Sequence, residues 1–468
     1  MEQWLNLTIA TLLFFIFLTV ILTLTLAAVG KSLGIRRKYI EILLLVFEFG
    51  RKRIDSYAAS EKHKHDLIEE DVDDEGLPDV DSLSDTSQES EVAVSDGDQV
   101  IHRDISISAV EGIKIPSKRP DYDLTYRREF HVSDVMYFSK CGMEAIIQDD
   151  VTQRFTAAEL KNWNLLTRTD RGYHFISVRL TILWWLGCFV RYCILLPFRT
   201  TLCFVGLGLL ITSTFLIGYI PEGRYKRLFN KALSLMSHRI LCRAMSAVVT
   251  FHYIEHRPQN GICVANHTSP LDVVILSSDN CYAMVGQSHS GFLGIMQRAL
   301  SRATSHIWFE RSEIKDRLVV SQRMRDHVND ENKLPILIFP EGTCVNNTSV
   351  MMFKKGGFEV SPVVYPVAVK YDSRFGDMFW NSSKDSMVRH IFNIMTSWAL
   401  VVDIWYLPPM KKQENEDAVQ FSSRVKSEIA RQGGLVDLEW DGQLKRMKAK
   451  EIWKSKSQQD YCRLLKLE

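Results

Sequence analysis

Apolar residues gather in two long stretches and, beyond residue 221, in short runs separated by amphipathic segments. Residues 4–29 are apolar apart from threonines and Asn6, long enough for the roughly 20 residues that a helix needs to cross a bilayer core. Lys31, Arg36, Arg37 and Lys38 follow, and such a cluster favours the cytoplasmic side. This arrangement predicts an N-terminus in the lumen and the bulk of the chain in the cytosol. A cleaved signal peptide is the competing reading. Glu2 and the lack of an early basic residue weaken it, although Leu26-Ala27-Ala28 offers small residues near a cleavage point. Residues 40–49 are too short to span and carry Glu41 and Glu48, which predicts an amphipathic helix lying along the membrane. The second long stretch, 176–220, is broken by Arg191 and by Pro197-Phe198-Arg199, so two short passes fit it better than one. Arg191 would be costly at mid-bilayer and points to a snorkelling side chain or a shallow re-entrant hairpin.

After Pro221 a basic amphipathic segment leads into strands expected near 248–253, 262–265, 282–285, 335–339, 363–369 and 401–406. Helices are expected near 315–329 and 417–431. Apolar strands bounded by amphipathic helices predict an α/β domain with a largely buried sheet. Between about 61 and 120 the chain is acidic and serine-rich, with too little apolar surface to offset ordering entropy, and reads as a disordered linker. Its serines beside acids fit a solvated spacer or phosphorylation sites. The division is therefore 1–57 membrane anchor and amphipathic helix, 58–122 acidic linker, 123–175 membrane-proximal region, 176–220 membrane hairpin, 221–440 α/β domain and 441–468 basic tail. Trp453 and Tyr461 lie in that tail, which suits anionic headgroups or a solvated helix.

At 468 residues and a net charge of +1, the chain is no globally basic nucleic-acid binder. Its 9 cysteines form no CxxC pair and no Cys/His cluster at metal-ligand spacing, so neither a metal centre nor a disulfide framework is expected.

The chemistry concentrates where apolar strands end. The run 263–272 carries an apolar strand into His267, with Asp272 just inside the next helix. A histidine with an orienting carboxylate is a candidate general base near neutral pH. Ser269-x-x-Asp272 with Pro270 equally fits a capping box that only closes a helix N-terminus. On one continuous helix His267 and Asp272 would point about 140° apart, so a working pair needs His267 before the helix. Arg311 and Glu341-Gly342-Thr343 also follow apolar runs, and active sites in open α/β sheets gather at the carboxyl ends of strands. Arg311 offers a fork to phosphate, and Gly342 and Thr343 offer backbone N–H groups and a hydroxyl. Singly, Arg311 also fits a surface ion pair and Glu341-Gly342 an ordinary turn.

His267-Thr268-Ser269-Pro270-Leu271-Asp272, Phe309-Glu310-Arg311, Phe339-Pro340-Glu341-Gly342-Thr343 and Val364-Tyr365-Pro366-Val367 together resemble the four ordered blocks of the glycerolipid acyltransferase family. The stretches 263–276, 308–317, 334–355 and 417–435 resemble its endoplasmic-reticulum glycerol-3-phosphate acyltransferases of the type 3 and 4 class. The resemblance implies an αβ domain around a mixed, largely buried sheet, with N-terminal membrane helices, in a multi-pass endoplasmic-reticulum protein whose catalytic domain faces the cytosol. It implies acyl transfer from acyl-CoA, a co-substrate, to the sn-1 hydroxyl of glycerol 3-phosphate, giving lysophosphatidic acid at the start of phospholipid and triacylglycerol synthesis. No cofactor is expected. It assigns His267 and Asp272 to catalysis, Arg311, Glu341, Gly342 and Thr343 to glycerol-phosphate recognition, and Pro366 to shaping the acyl side. A lysophospholipid acyltransferase of the same fold and a catalytically silent membrane scaffold are the alternatives. In the loop 286–291 serines replace residues expected of the class, which leaves His289 without an assigned role. The sequons at Asn6, Asn266, Asn346, Asn347 and Asn381 are expected to be unmodified where the domain faces the cytosol.

Overall fold

The computed structural model describes residues 2–30, 34–73, 154–157, 163–166, 177–288, 291–309 and 314–442. Most of the acidic linker, most of the membrane-proximal region and nearly all of the basic tail lie outside them. The described residues of 1–59 and 144–468 group into one compact unit.

In this unit, α1 (Glu2–Val29) forms over the first apolar stretch. The next helix, α2 (Ile35–Asp73), is far longer than the amphipathic segment expected and runs into residues read as linker. It does not lie free on a surface, because Leu43 and Phe47 are buried with Trp163, Leu165 and Phe375. A Cβ on Gly50 would come within 2.2 Å of the Trp163 ring, so this helix face must stay smooth there.

The stretch expected as a hairpin is instead continuous helix: α3 (Val178–Phe189), a π turn (Val190–Leu195) and α4 (Leu196–Ile217). Pro197 has no N–H for the preceding turn, and the extra residue of the π turn takes up that mismatch. Among the described residues this is the one helix long and apolar enough to cross a membrane. Arg191 neither snorkels nor sits in lipid. It is buried, donates to Thr396 O at 3.3 Å and lies 5.5 Å from the centroid of a Trp398 ring. Arg199, wholly buried, donates to Met395 O at 2.8 Å and to Ser397 O and Trp398 O at 2.5 Å, with Ser246 Oγ at 2.9 Å. Both arginines therefore serve protein carbonyls, which removes the reason to expect a break. The opposite side leaves Ile182, Trp185, Leu186, Phe189 and Phe204 exposed.

Helix α5 (Arg224–Ala244) packs across Gly206, where a Cβ would stand 3.0 Å from Leu241 Cδ2. The α/β region follows as β1 (Ala247–His252), β2 (Ile262–Ala265), α6 (Asp272–Leu276), β3 (Ala283–Gln287), α7 (Gly291–Ala303), β4 (Ile307–Phe309), α8 (Ile314–Val328), β5 (Ile336–Ile338), β6 (Ser349–Val350), β7 (Val363–Asp372), α9 (Met387–Thr396), β8 (Leu400–Tyr406), β9 (Met410–Lys411), α10 (Ala418–Gly433) and β10 (Val436–Asp437). The main sheet runs β1-β8-β7-β2-β5-β3-β4, with β9 beside β7. It is mixed: β7 is antiparallel to β8 and β9, and every other pairing is parallel.

Both faces are covered, which explains the near-continuous apolar strands. Cys263, Ala265, Val367, Val369 and Tyr371 face one core with α6, and Ile262, Val264, Val364 and Ala368 face the other with α10. Each fully buried aliphatic side chain contributes roughly 1.5–3 kcal/mol. The parallel strands β2, β5 and β7 end on one edge of the sheet, and β7 continues five residues beyond the last register of β2, Ala265 opposite Val367. That overhang sets a β7 wall beside the loop that leaves β2.

Candidate active site

The loop after β2 is held by side chains that imitate strand pairing. Asn266 receives Val369 N–H on Oδ1 at 2.8 Å and donates Nδ2 to Val369 O at 2.9 Å. Asn347 continues the ladder, taking Tyr371 N–H at 2.6 Å and donating to Thr268 Oγ1 at 3.0 Å. Two of the sequon asparagines thus have their amides committed inside the protein, and Asn266 is buried, which leaves no room for a glycan there.

His267 follows directly. Its Nδ1 lies 3.0 Å from Asp272 Oδ2. The same oxygen accepts Thr268 N–H at 2.8 Å and Ser269 N–H at 2.9 Å, while Tyr371 donates its hydroxyl to Oδ1 at 2.6 Å. Asp272 is fully buried, so this set of four donors is what keeps a carboxylate tolerable there. The bond from Ser269 N–H is one half of the expected capping box, and helix α6 begins at Asp272 itself. Capping and orienting a histidine are therefore one arrangement: the cap fixes the carboxylate, and the carboxylate fixes Nδ1. The imidazole stacks on Phe339, ring centroids 4.2 Å apart. Burial opposes the imidazolium, but the neighbouring Cys344 and the Asp272 carboxylate outweigh it and hold the His267 pKa above the ordinary histidine value.

Glu341, at the end of β5, is buried with both oxygens occupied. Oε2 accepts His267 N–H at 2.7 Å and Oε1 accepts Met351 N–H at 2.9 Å. Burial pushes its carboxyl up to about 8, against the pull of those two N–H groups and His267. The side chain assigned to substrate recognition thus spends its acceptors on the backbone of His267, a positioning task. His267 O in turn accepts Val345 N–H at 2.9 Å, which stitches the β2 and β5 loops together. Gly342 turns the chain between them with φ of 66°, a conformation that favours glycine. It is exposed and Thr343 half-buried, beside Gly442 of the C-terminal segment.

Behind the dyad, Ser269 Oγ meets His390 Nε2 at 2.8 Å. Burial pushes His390 down to about 4, against Asp272 and Asp385, so its ring is neutral at pH 7. A cavity of about 420 Å³ lies against His390, Asp377 and Arg191. Among the described residues no group of His, Cys, Asp or Glu is placed to hold a metal ion.

His267, Asp272, Glu341, Gly342 and Thr343 therefore come together at one sheet edge. Arg311 and His289 lie outside the described residues. Pro366 is buried within β7 opposite Val264, on the strand face of Val364 and Ala368 that turns toward α10. Sequence reasoning missed Tyr371, Asn347 and His390, and only for Tyr371 was there a signal: the alternation of Val367, Val369 and Tyr371 along a single strand.

The Acyltransferase family model matches residues 248–370. Glycerol-3-phosphate acyltransferase 4 of Mus musculus is 50% identical over 461 residues, covering 96% of this chain and 94% of that protein. Glycerol-3-phosphate acyltransferase 3 of Xenopus laevis is 49% identical over 461 residues, covering 98% and 96%. The Homo sapiens glycerol-3-phosphate acyltransferase 3 is 57% identical over 339 residues, 72% of this chain and 78% of that one. Among solved structures, the 1-acyl-sn-glycerophosphate (LPA) acyltransferase PlsC of Thermotoga maritima aligns with a TM-score of 0.38 at 16% identity, over 58% of this chain and 99% of that one.

Proposed function

The chain belongs to the glycerol-3-phosphate acyltransferase family, and from that premise we propose that it transfers a fatty acyl group from acyl-CoA to the sn-1 hydroxyl of glycerol 3-phosphate, releasing lysophosphatidic acid and CoA. The observation that carries the mechanism is the 3.0 Å contact between His267 Nδ1 and an Asp272 carboxylate anchored by three further donors. With Nδ1 committed, Nε2 is the nitrogen that takes the hydroxyl proton as the glycerol oxygen attacks the thioester carbonyl. Asp272 holds the tautomer and stabilises the imidazolium as it forms. Collapse of the tetrahedral intermediate expels the CoA thiolate, which recovers the proton from Nε2. A thioester is already activated, so no protein nucleophile is required. Glu341 fixes the backbone of His267, while Arg311, Gly342 and Thr343 serve the glycerol phosphate; Pro366, buried on the α10 face of β7, takes no part at the dyad.

The exposed apolar face along Val178–Ile217, together with the apolar α1, suits a bilayer. In this reading they anchor the protein in the endoplasmic-reticulum membrane with the catalytic domain on the cytosolic side, where acyl-CoA is found. The test is the full-length protein in nanodiscs with labelled acyl-CoA and a panel of acceptors. Label entering lysophosphatidic acid only when glycerol 3-phosphate is supplied is the expected result; preference for a lysolipid acceptor would overturn the assignment.

A further inference from the structure

We propose that Lys354 binds the phosphate of the acceptor, forming with Thr343 and the turn at Gly342 an anion site beside His267. The inference rests on the acylation of a phosphate-bearing acceptor proposed above. Its basis is a close approach at Gly342: a Cβ there would stand 3.1 Å from Lys354 Nζ, 3.4 Å from Cε and 3.6 Å from Cδ. The lysine side chain therefore lies across the glycine, which turns the chain at φ of 66°, and a Cβ there would crowd its far end. The backbone of Lys354 is fixed at the same turn, donating its N–H to Pro340 O at 3.0 Å.

Charge bookkeeping leaves this ammonium unspent. Lys355, next in the chain, pairs with Glu359 at 2.9 Å, whereas Lys354 has no hydrogen-bond or ion-pair partner among the described residues. Glu359 is spent on Lys355, and Glu341, the acid beside the Gly342 turn, is occupied by the backbone N–H groups of His267 and Met351. Thr343, half-buried at the same turn, likewise keeps its hydroxyl free of any partner among the described residues. A compact point charge with three donors, beside a hydroxyl and an open turn, is suited to a phosphate dianion. Because Glu341 couples this turn to the backbone of His267 at 2.7 Å, a phosphate held here keeps the rest of a small acceptor near the imidazole.

The test compares full-length wild type, K354M, K354R and K355M in nanodiscs, with KM measured separately for acceptor and acyl-CoA. Loss of one charge-assisted contact predicts a rise of about 10–100-fold in the KM for glycerol 3-phosphate in K354M. The KM for acyl-CoA is expected to stay unchanged, K354R to recover most of the loss, and K355M to match wild type. A glycerol 3-phosphate KM in K354M equal to that of wild type, or a parallel rise for acyl-CoA, would overturn the proposal. Should wild type acylate lysophosphatidic acid and not glycerol 3-phosphate, the proposed function fails. Lys354 is then judged by the KM for that phosphate-bearing acceptor, with the same two outcomes. Lys354 is exposed, and equal thermal unfolding of the variants checks that the fold is intact.

Discussion

Replacing Asp272 by asparagine isolates the charge of the dyad from its geometry. In the protein, Oδ2 accepts from His267, Thr268 and Ser269, while among the described residues Oδ1 meets only the Tyr371 hydroxyl. An asparagine placed with its carbonyl at the Oδ2 position keeps all three of those bonds, and its NH2 group donates to Tyr371, whose hydroxyl rotates to accept. The histidine tautomer and orientation therefore survive, and what is lost is the negative charge facing the imidazolium. At an effective dielectric of about 20 and a charge separation of about 4 Å, that interaction is worth roughly 4 kcal/mol. At about 1.4 kcal/mol per decade, kcat falls about 10³-fold. The assay is acyl transfer to glycerol 3-phosphate under saturating acyl-CoA, taken on the high-pH plateau so that the histidine is neutral in both proteins. KM should change little. A variant that keeps more than about a tenth of wild-type kcat would refute the electrostatic role of Asp272 and reduce it to a helix cap.

Three further outcomes follow from the same geometry. Tyr371→Phe strips one donor from a buried carboxylate and is expected to cost about 1.5–3 kcal/mol of stability, read as a lowered Tm; an unchanged Tm would contradict the bond at Asp272 Oδ1. Since catalysis needs neutral His267 and its pKa is raised, kcat/KM should climb with pH along a limb centred above the ordinary value of 6.5, and D272N should move that limb down. A wild-type limb below 6.5 would count against the dyad. Arg199→Leu leaves the carbonyls of Met395, Ser397 and Trp398 buried without their donor, at about 1–3 kcal/mol each. Poor folding or a steep loss of Tm is expected, and a wild-type Tm would show that the clamp is dispensable.

The strands and the dyad were legible because both are local. Alternating or continuous apolar runs marked β2, β7 and β8 to within a few residues at their ends, and the spacing from His267 to Asp272 required a loop-then-helix arrangement. The helix through Val178–Ile217 was not legible, since its arginines looked like breaks until carbonyls some 200 residues away, at Thr396 and Ser397, proved to be their partners. Helix α2 was read too short for a related reason: the residues that bury its apolar face, Trp163 and Phe375, lie far along the chain. Glu341 shows a different limit. Its place at a strand end was apparent, but which way its carboxylate turned depended on a register between β2 and β5 that no single sequence displays.

The central claim is that His267 is the base that activates the glycerol hydroxyl, and His267→Ala tests it most directly. Full-length wild type and variant are compared in nanodiscs at saturating glycerol 3-phosphate and labelled acyl-CoA, with lysophosphatidic acid as the readout. Loss of general-base assistance predicts a fall of at least about 10²–10⁴-fold in kcat, with membrane insertion and thermal unfolding preserved. A variant that inserts, folds and still makes lysophosphatidic acid at the wild-type rate would contradict the account.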